Sequence, residues 1–409
     1  TFFQNNLFTL CHLIYTDTFY MKRKWIRWVS WILLTPIILF VILMVLLYVP
    51  PVQNLLRREV TAYASKATGM QIQVERIDLR FPLNLLVRGV EVIQQPDTLL
   101  SLESLNVRVQ AWPLIKGKVE VDEVTLNRVA VNSADLMEGM KIKGVLGRFF
   151  LQSHGVDLSN ELAVINQVEL SDTHVQLLMN DTTTTPKDTT ASAPINWKVA
   201  LHQLKLKNVS FSMQLPADSM RMAAHIGEAA IDDAQADLKN QYYDLKKFLL
   251  SGTSASYDTG TAEPAEGFDA SHIAVRDIRI ALDSLLYKGR DMNAVIREFT
   301  MNERSGLSVT SLTGRAYSND SVICVPGLKL NTPHSEIDLS AHTYWELVNI
   351  PTTGRLSARL NAYIGKEDVM LFAGGLPESF KGAYPFRPLV IRAGTDGNLK
   401  EMQISRFTV

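Results

Sequence analysis

Cysteine is almost missing from this chain: Cys11 and Cys324 are the only two in 409 residues, which excludes a disulfide framework and a cysteine-based metal site. Charge of one sign is lacking too. With 41 Lys and Arg against 42 Asp and Glu the net charge is −1, so no global basic field points to nucleic acid. Aromatic residues are 8% of the chain, which suits long aliphatic strands better than a stacking surface. The eight histidines, at positions 12, 154, 174, 202, 225, 272, 334 and 342, show neither HxH nor HxxxH spacing, and this argues against a zinc site. Gly139 to Gly144 opens like a phosphate loop, but Val145 stands where the lysine is required. Neither G-x-S-x-G nor G-x-G-x-x-G occurs. The acidic pairs Asp122-Glu123, Asp232-Asp233 and Glu367-Asp368 are adjacent; in an alternating strand neighbours point to opposite faces and make no catalytic dyad. Nothing here asks for an enzyme, a metal or a cofactor.

What is present begins with a long apolar run, 28 to 48, WVSWILLTPIILFVILMVLLY. Some 20 helical residues span roughly 30 Å, the thickness of a bilayer's hydrocarbon core. Its Val, Ile, Leu and Phe residues, Leu33, Phe40 and Leu47 among them, contribute about −6 kcal/mol to insertion and outweigh Ser30, Thr35 and Pro36. Trp28 and Trp31 at one end and Tyr48 at the other suit the interfaces. Lys22, Arg23, Lys24 and Arg27 precede the run and Pro50-Pro51 follows it, so the positive-inside bias keeps the N-terminus cytoplasmic and translocates the rest. A cleaved signal peptide is the rival; the run is longer than a usual h-region and no Ala-x-Ala site follows. The span therefore predicts an uncleaved single-pass anchor with residues 1–27 on the cytoplasmic side. Residues 1–20 precede Met21-Lys-Arg-Lys and read as an overextended start.

Within 49–69, Val52, Leu55, Leu56, Val60, Tyr63, Ala64 and Ala67 recur at helical spacing up to Gly69, predicting an amphipathic helix that lies on the bilayer or caps the first sheet. From Met70 the period changes to two, with short apolar alternations broken by turns and parity slips. Three stretches share a frame: Val124, Leu126, Val129, Val131; Leu204, Leu206, Val209, Phe211; and Val168, Leu170, Val175, Leu177. These are hairpins or bent strands with one apolar face. Residues 133–153 break the pattern and read as an amphipathic helix, a poor one because Gly139, Gly144 and Gly147 each cost about 1 kcal/mol against alanine. Residues 180–194, NDTTTTPKDTTASAP, form a low-complexity polar loop, and 258–271 a loop or linker. Alternation then continues from 272 to 409 and stops in mid-strand, as if the chain were truncated.

A sheet with one apolar face must bury it or use it. The expected fold is mainly β: an N-terminal transmembrane helix, then an elongated, curled antiparallel β-groove over 70–257 and 272–409, with short helices. Such a groove accommodates acyl chains without specific ligand residues, since each buried methylene contributes about 0.8 kcal/mol. By parity Val107, Val121, Leu126 and Val131 are the candidate lining. The run GMQIQVERIDLRFPLNLLVRGVEV at 69–92 and LLSLESLNVRVQAWPLIKGKVEVDEVTLNRVAV at 99–131, just after an anchor, resembles the AsmA-like family, most of all the N-terminal part of its TamB-type translocation and assembly module proteins. The resemblance covers roughly 22–131. It implies a protein of a bacterial inner membrane with its bulk in the periplasm, moving phospholipids toward the outer membrane, with an outer-membrane barrel protein as partner. It brings no catalytic residues. Two other classes stay open: a protein translocation or outer-membrane assembly factor that templates client strands at its sheet edges, and a structural binding module of stacked β-sandwiches.

Overall fold

The computed structural model describes residues 34, 35, 38, 49–80, 83–110, 112, 113, 120–133, 139–157, 160–179, 196–350, 352–373, 377–398 and 400–408. Of the apolar run only Leu34, Thr35 and Ile38 are described, all three helical. The expected anchor and topology residues, from Lys22 to Tyr48, otherwise lie outside the described residues, as does the loop 180–194. Among the described residues no helix is long and apolar enough to cross a membrane.

After the double proline a helix, α1, runs Pro50–Thr68 and stops at Gly69, whose φ of 70° is the left-handed conformation that ends helices. Among the described residues eighteen strands follow and belong to one sheet. They are β1 Gln71–Arg80, β2 Asn84–Gln94, β3 Asp97–Val109, β4 Val121–Asn132, β5 Met140–Asp157 and β6 Leu162–Met179. Next come β7 Lys198–Leu215, β8 Met220–Asp237, β9 Tyr242–Asp258, β10 His272–Lys288, β11 Asp291–Glu303 and β12 Ser308–Val309. The last six are β13 Ser311–Ser318, β14 Val322–Asn331, β15 Glu336–Tyr344, β16 Leu356–Ile364, β17 Leu389–Gly397 and β18 Met402–Thr408. Short helices α2 Trp345–Asn349, α3 Lys366–Phe372 and α4 Glu378–Ala383 lie in the late connections.

Spatial order follows chain order. Each strand pairs with the next, antiparallel, from β1 to β18, β13 joining β11 beyond the two-residue β12. The exception is β6 with β7, which are parallel, Leu162 beside Lys198 through Leu178 beside Gln214. A parallel neighbour requires the chain to return to the end where β6 began before β7 can start. The segment 258–271, expected as a loop or linker, joins β9 to β10, which pair directly.

The helix expected over 133–153 is not formed: Met140–Asp157 is the strand β5, paired on both sides. Gly144 and Gly147 weaken a helix, whereas Phe149 and Leu151 find apolar partners across both ladders, and Met140 and Ile142 find them on β6. Local helical spacing was outweighed by cross-strand pairing.

Because the described strands form one curled sheet, almost nothing among the described residues is sealed. Among the described residues the buried apolar side chains are small or few, such as Ala163, Ala229, Ala281 and Ala362, and no large side chain falls below 2% exposure. The first edge is protected by α1. Gln53 donates to the carbonyl of Leu79 (3.1 Å), Arg57 to that of Glu75 (2.7 Å), and Ser65 Oγ accepts the Ile72 N–H (3.1 Å). These side chains satisfy backbone groups that an edge strand leaves open.

Candidate functional site

The frames noted in the sequence are bent strands rather than hairpins, and the bends align. Inside the strands, Arg128 (φ 45°), Asp172 (51°), Asn208 (53°) and Asp277 (55°) adopt left-handed backbone, as do Gly89 and Gly252. The pairs on either side of them in each ladder bracket them onto one line across the sheet, which passes from Gly89 to Glu103, Arg128, Gly147 and Asp172, each left out of the regular pairing. The line continues from Asp172 to Asn208, Gly227 and Gly252. Asp and Asn tolerate this conformation better than other side chains. Polar contacts hold it: Arg128 pairs with Glu103 at 2.9 Å, and Asn208 Nδ2 donates to Asp172 Oδ1 at 2.8 Å. Gly147 is required, since a Cβ there would lie 2.7 Å from the Cβ of Asp172.

A left-handed residue within a strand resets the up-and-down alternation by one. In β6, Val168 and Leu170 precede Asp172 on even positions while Val175 and Leu177 follow on odd ones. The reset brings both sets to one face. Directly paired residues share a face, so the ladder registers can be followed as rows from strand to strand.

One row crosses the sheet without a polar residue. It runs Leu79, Leu85, Val107, Val124 and Leu151 over β1 to β5. It continues through Val168, Leu204, Ile231, Phe248 and Leu282 on β6 to β10. Ile296, Gly314, Leu328, Leu339, Leu360 and Ala393 carry it over β11 and β13 to β17. All are partly exposed, and among the described residues no second sheet covers them. At about 4.8 Å per strand the row is roughly 70 Å long. A second row lies beside it, with Leu105, Leu126, Phe149, Leu170 and Leu206 at its centre. Beyond the line of bends runs a third, in which Val131, Gly144, Val175, Phe211, Ala224, Ala255 and Val275 pair in turn.

The structure thus puts Val107 and Leu126 in adjacent rows, on diagonal positions of neighbouring strands. Val121 is farther along β4, opposite Val109. Val131 lies on the far side of the bends, opposite Leu100 and 39% exposed. The rows pass through Phe149 and Leu151 of β5, inside the segment for which the sequence predicts a helix.

Titratable groups sit at the rim of this face. The third row ends with Val275 beside Glu303. Burial pushes the Glu303 carboxyl up, but the hydroxyl and N–H of Ser305 and the N–H groups of Ala274 and Arg304 outweigh it and hold its pKa below the usual value. In the β9–β10 connection, Asp269 accepts N–H groups of Ala265 (3.0 Å) and Ser271 (2.9 Å) and lies 2.9 Å from His272 Nδ1. The Ala265 bond first, then His272 and Ser271, bring its pKa down to about 2. Among the described residues no three His, Cys, Asp or Glu side chains gather as metal ligands.

Comparison with protein-family models and with curated proteins finds no match for the sequence.

Proposed function

We propose that this protein is an AsmA-like, inner-membrane-anchored conduit whose apolar face carries phospholipid acyl chains through the periplasm toward the outer membrane. The observation that carries this reading is the unbroken apolar row from Leu79 to Ala393. Roughly 70 Å is more than twice the ~30 Å hydrocarbon core of a bilayer. A track of that length exceeds what any one bound acyl chain needs, which favours passage over storage. Apolar contact alone suffices for it, in keeping with a face devoid of charged or hydrogen-bonding side chains along the row. A second reading, assembly of outer-membrane proteins with a barrel partner, draws on β18, which among the described residues pairs on one side only, with β17.

The test is site-specific photocrosslinking of the full chain in cells, with a photoreactive residue placed singly at Val168, Glu169, Leu170, Leu204 and Lys205. Lipid adducts at 168, 170 and 204 and their absence at 169 and 205 are expected. Adducts without that alternation sink the conduit, and adducts to unfolded polypeptide instead of lipid transfer the assignment to the assembly reading.

A further inference from the structure

On the opposite face of the same sheet a cleft of about 540 Å³ opens across β6 to β11. Its floor is made by two rows of paired residues, one of His174, Ser210, His225 and Ser254, the other of Ser212, Ala223, Ser256 and Ala274. Along their strands these alternate with Phe211, Ala224, Ala255 and Val275 of the apolar face, so they stand on the other side. Serine and alanine reach only one or two heavy atoms beyond the backbone, and a patch of them leaves a hollow. The walls are His174, His225, Arg276 and Arg304, and Phe211, Ala224, Ala255 and Val275 also line the cleft.

The polar groups are held in place. Ser210 Oγ lies 2.9 Å from His225 Nδ1, leaving Nε2 as the ring's remaining polar atom. Gln176 Nε2 lies 2.8 Å from His174 Nε2. Arg304 Nη2 donates to the carbonyl of His272 at 2.6 Å, which fixes the guanidinium at the rim. No Asp or Glu is among the described residues lining the cleft, although acidic and basic residues are balanced over the chain. Guanidinium groups donate and never accept, so the complement of this lining is an anion.

We propose that the cleft binds a phosphate ester. Two guanidinium groups and the hydroxyls of Ser212, Ser254 and Ser256 offer more donors than the two oxygens of a carboxylate accept, and guanidinium forks match phosphate oxygens. The volume falls within the range of small-molecule sites, about 300–1,000 Å³, and exceeds what a bare phosphate ion fills. The esterified group occupies the Ser- and Ala-floored remainder. Lipid headgroups and soluble phosphate esters share this chemistry. The serines and Arg276 stand at strand positions that alternate with the apolar rows, so the inference does not depend on the conduit.

Calorimetric titration of the full chain in detergent micelles with glycerol 3-phosphate tests it. Saturable binding is expected, weakened roughly ten- to hundredfold by Arg276→Gln, the loss of a hydrogen-bonded ion contact. Ile231→Asp, a change in the apolar row, leaves it unaltered. Absence of saturable heat at millimolar ligand, equal affinity for acetate, or an Arg276→Gln variant that binds like the wild type overturns the assignment. Displacement of bound glycerol 3-phosphate by phosphatidylglycerol vesicles identifies the headgroup as the source, and its persistence identifies a soluble ester; either result upholds the site.

Discussion

Replacing Ile231 by aspartate places a carboxylate in the middle of the longest apolar row, between Leu204 and Phe248. An acyl chain crossing one strand spacing of about 4.8 Å lays about four methylenes over each row residue. On an open face about half of the ~0.8 kcal/mol per methylene is realised, so roughly 1.5 kcal/mol of contact is lost. Desolvating the carboxylate beneath the chain adds about 1–3 kcal/mol. The sum, near 3 kcal/mol, corresponds to roughly a hundredfold loss of occupancy at that point. The matched control is Ala230→Asp, one residue away on the opposite face and across from Lys205. Both variants are expected to remain folded: Ile231→Asp loses two cross-strand apolar contacts, about 1–2 kcal/mol together, while the control gains an opposite charge. The assay is transfer of labelled phospholipid from vesicles bearing the reconstituted full chain to protein-free vesicles, with urea denaturation to confirm folding. Transfer by Ile231→Asp within twofold of wild type, or an equal loss in Ala230→Asp, refutes the face assignment.

Four further outcomes rest on the geometry. Gly147→Ala, whose Cβ would meet Asp172 Cβ at 2.7 Å, is expected to cost about 1–3 kcal/mol in chemical denaturation. Gly382→Ala in α4, with nothing within 4 Å, should instead be neutral or gain up to about 1 kcal/mol. Arg57→Ala removes the 2.7 Å donor to the Glu75 carbonyl; about 1–2 kcal/mol of stability is lost, and the bared β1 edge should raise aggregation measured by light scattering. Asp269, with its folded pKa lowered to about 2, contributes stability that is fully present above its unfolded value near 4 and lost as pH falls from about 4 through about 2. Hydrogen exchange in 259–271 should accelerate across that interval, and Asp269→Asn should abolish the acceleration.

Much of the strand content was legible because period-two alternation is a property of single segments. The parity slips were visible too, as in Leu206 and Val209, but not their meaning. Asn208 and Asp172 carry the bends through backbone conformation, which hydropathy does not encode. The strand β5 was obscured by an accident of spacing, Leu136, Met137 and Met140 preceding Leu146, Phe149 and Phe150 in a helix-like order. Only its partners on β4 and β6 decide against the helix. The parallel joint of β6 and β7 has no local signature at all. The cleft was equally hidden, since His174, His225, Arg276 and Arg304 come from four separate segments that meet only through the ladder.

The strictly sequential ladder has a consequence for how the molecule is made. Among the described residues no two that pair in the ladder are farther apart along the chain than Tyr242 and Lys288, so loop-closure entropy stays small as each strand is added; the bond from the Phe268 N–H to the Leu371 carbonyl (2.7 Å) reaches farther and closes later. A chain delivered from its N-terminus can lay down each strand against the one just formed, with α1 shielding the starting edge. Any stretch of nascent polypeptide that has completed a strand is already a shorter version of the finished sheet. Stability then accrues as nearest-neighbour increments, as in a one-dimensional array. Growth would stall only once, at β7, which must wait for its connection to travel the length of β6 before it can zip.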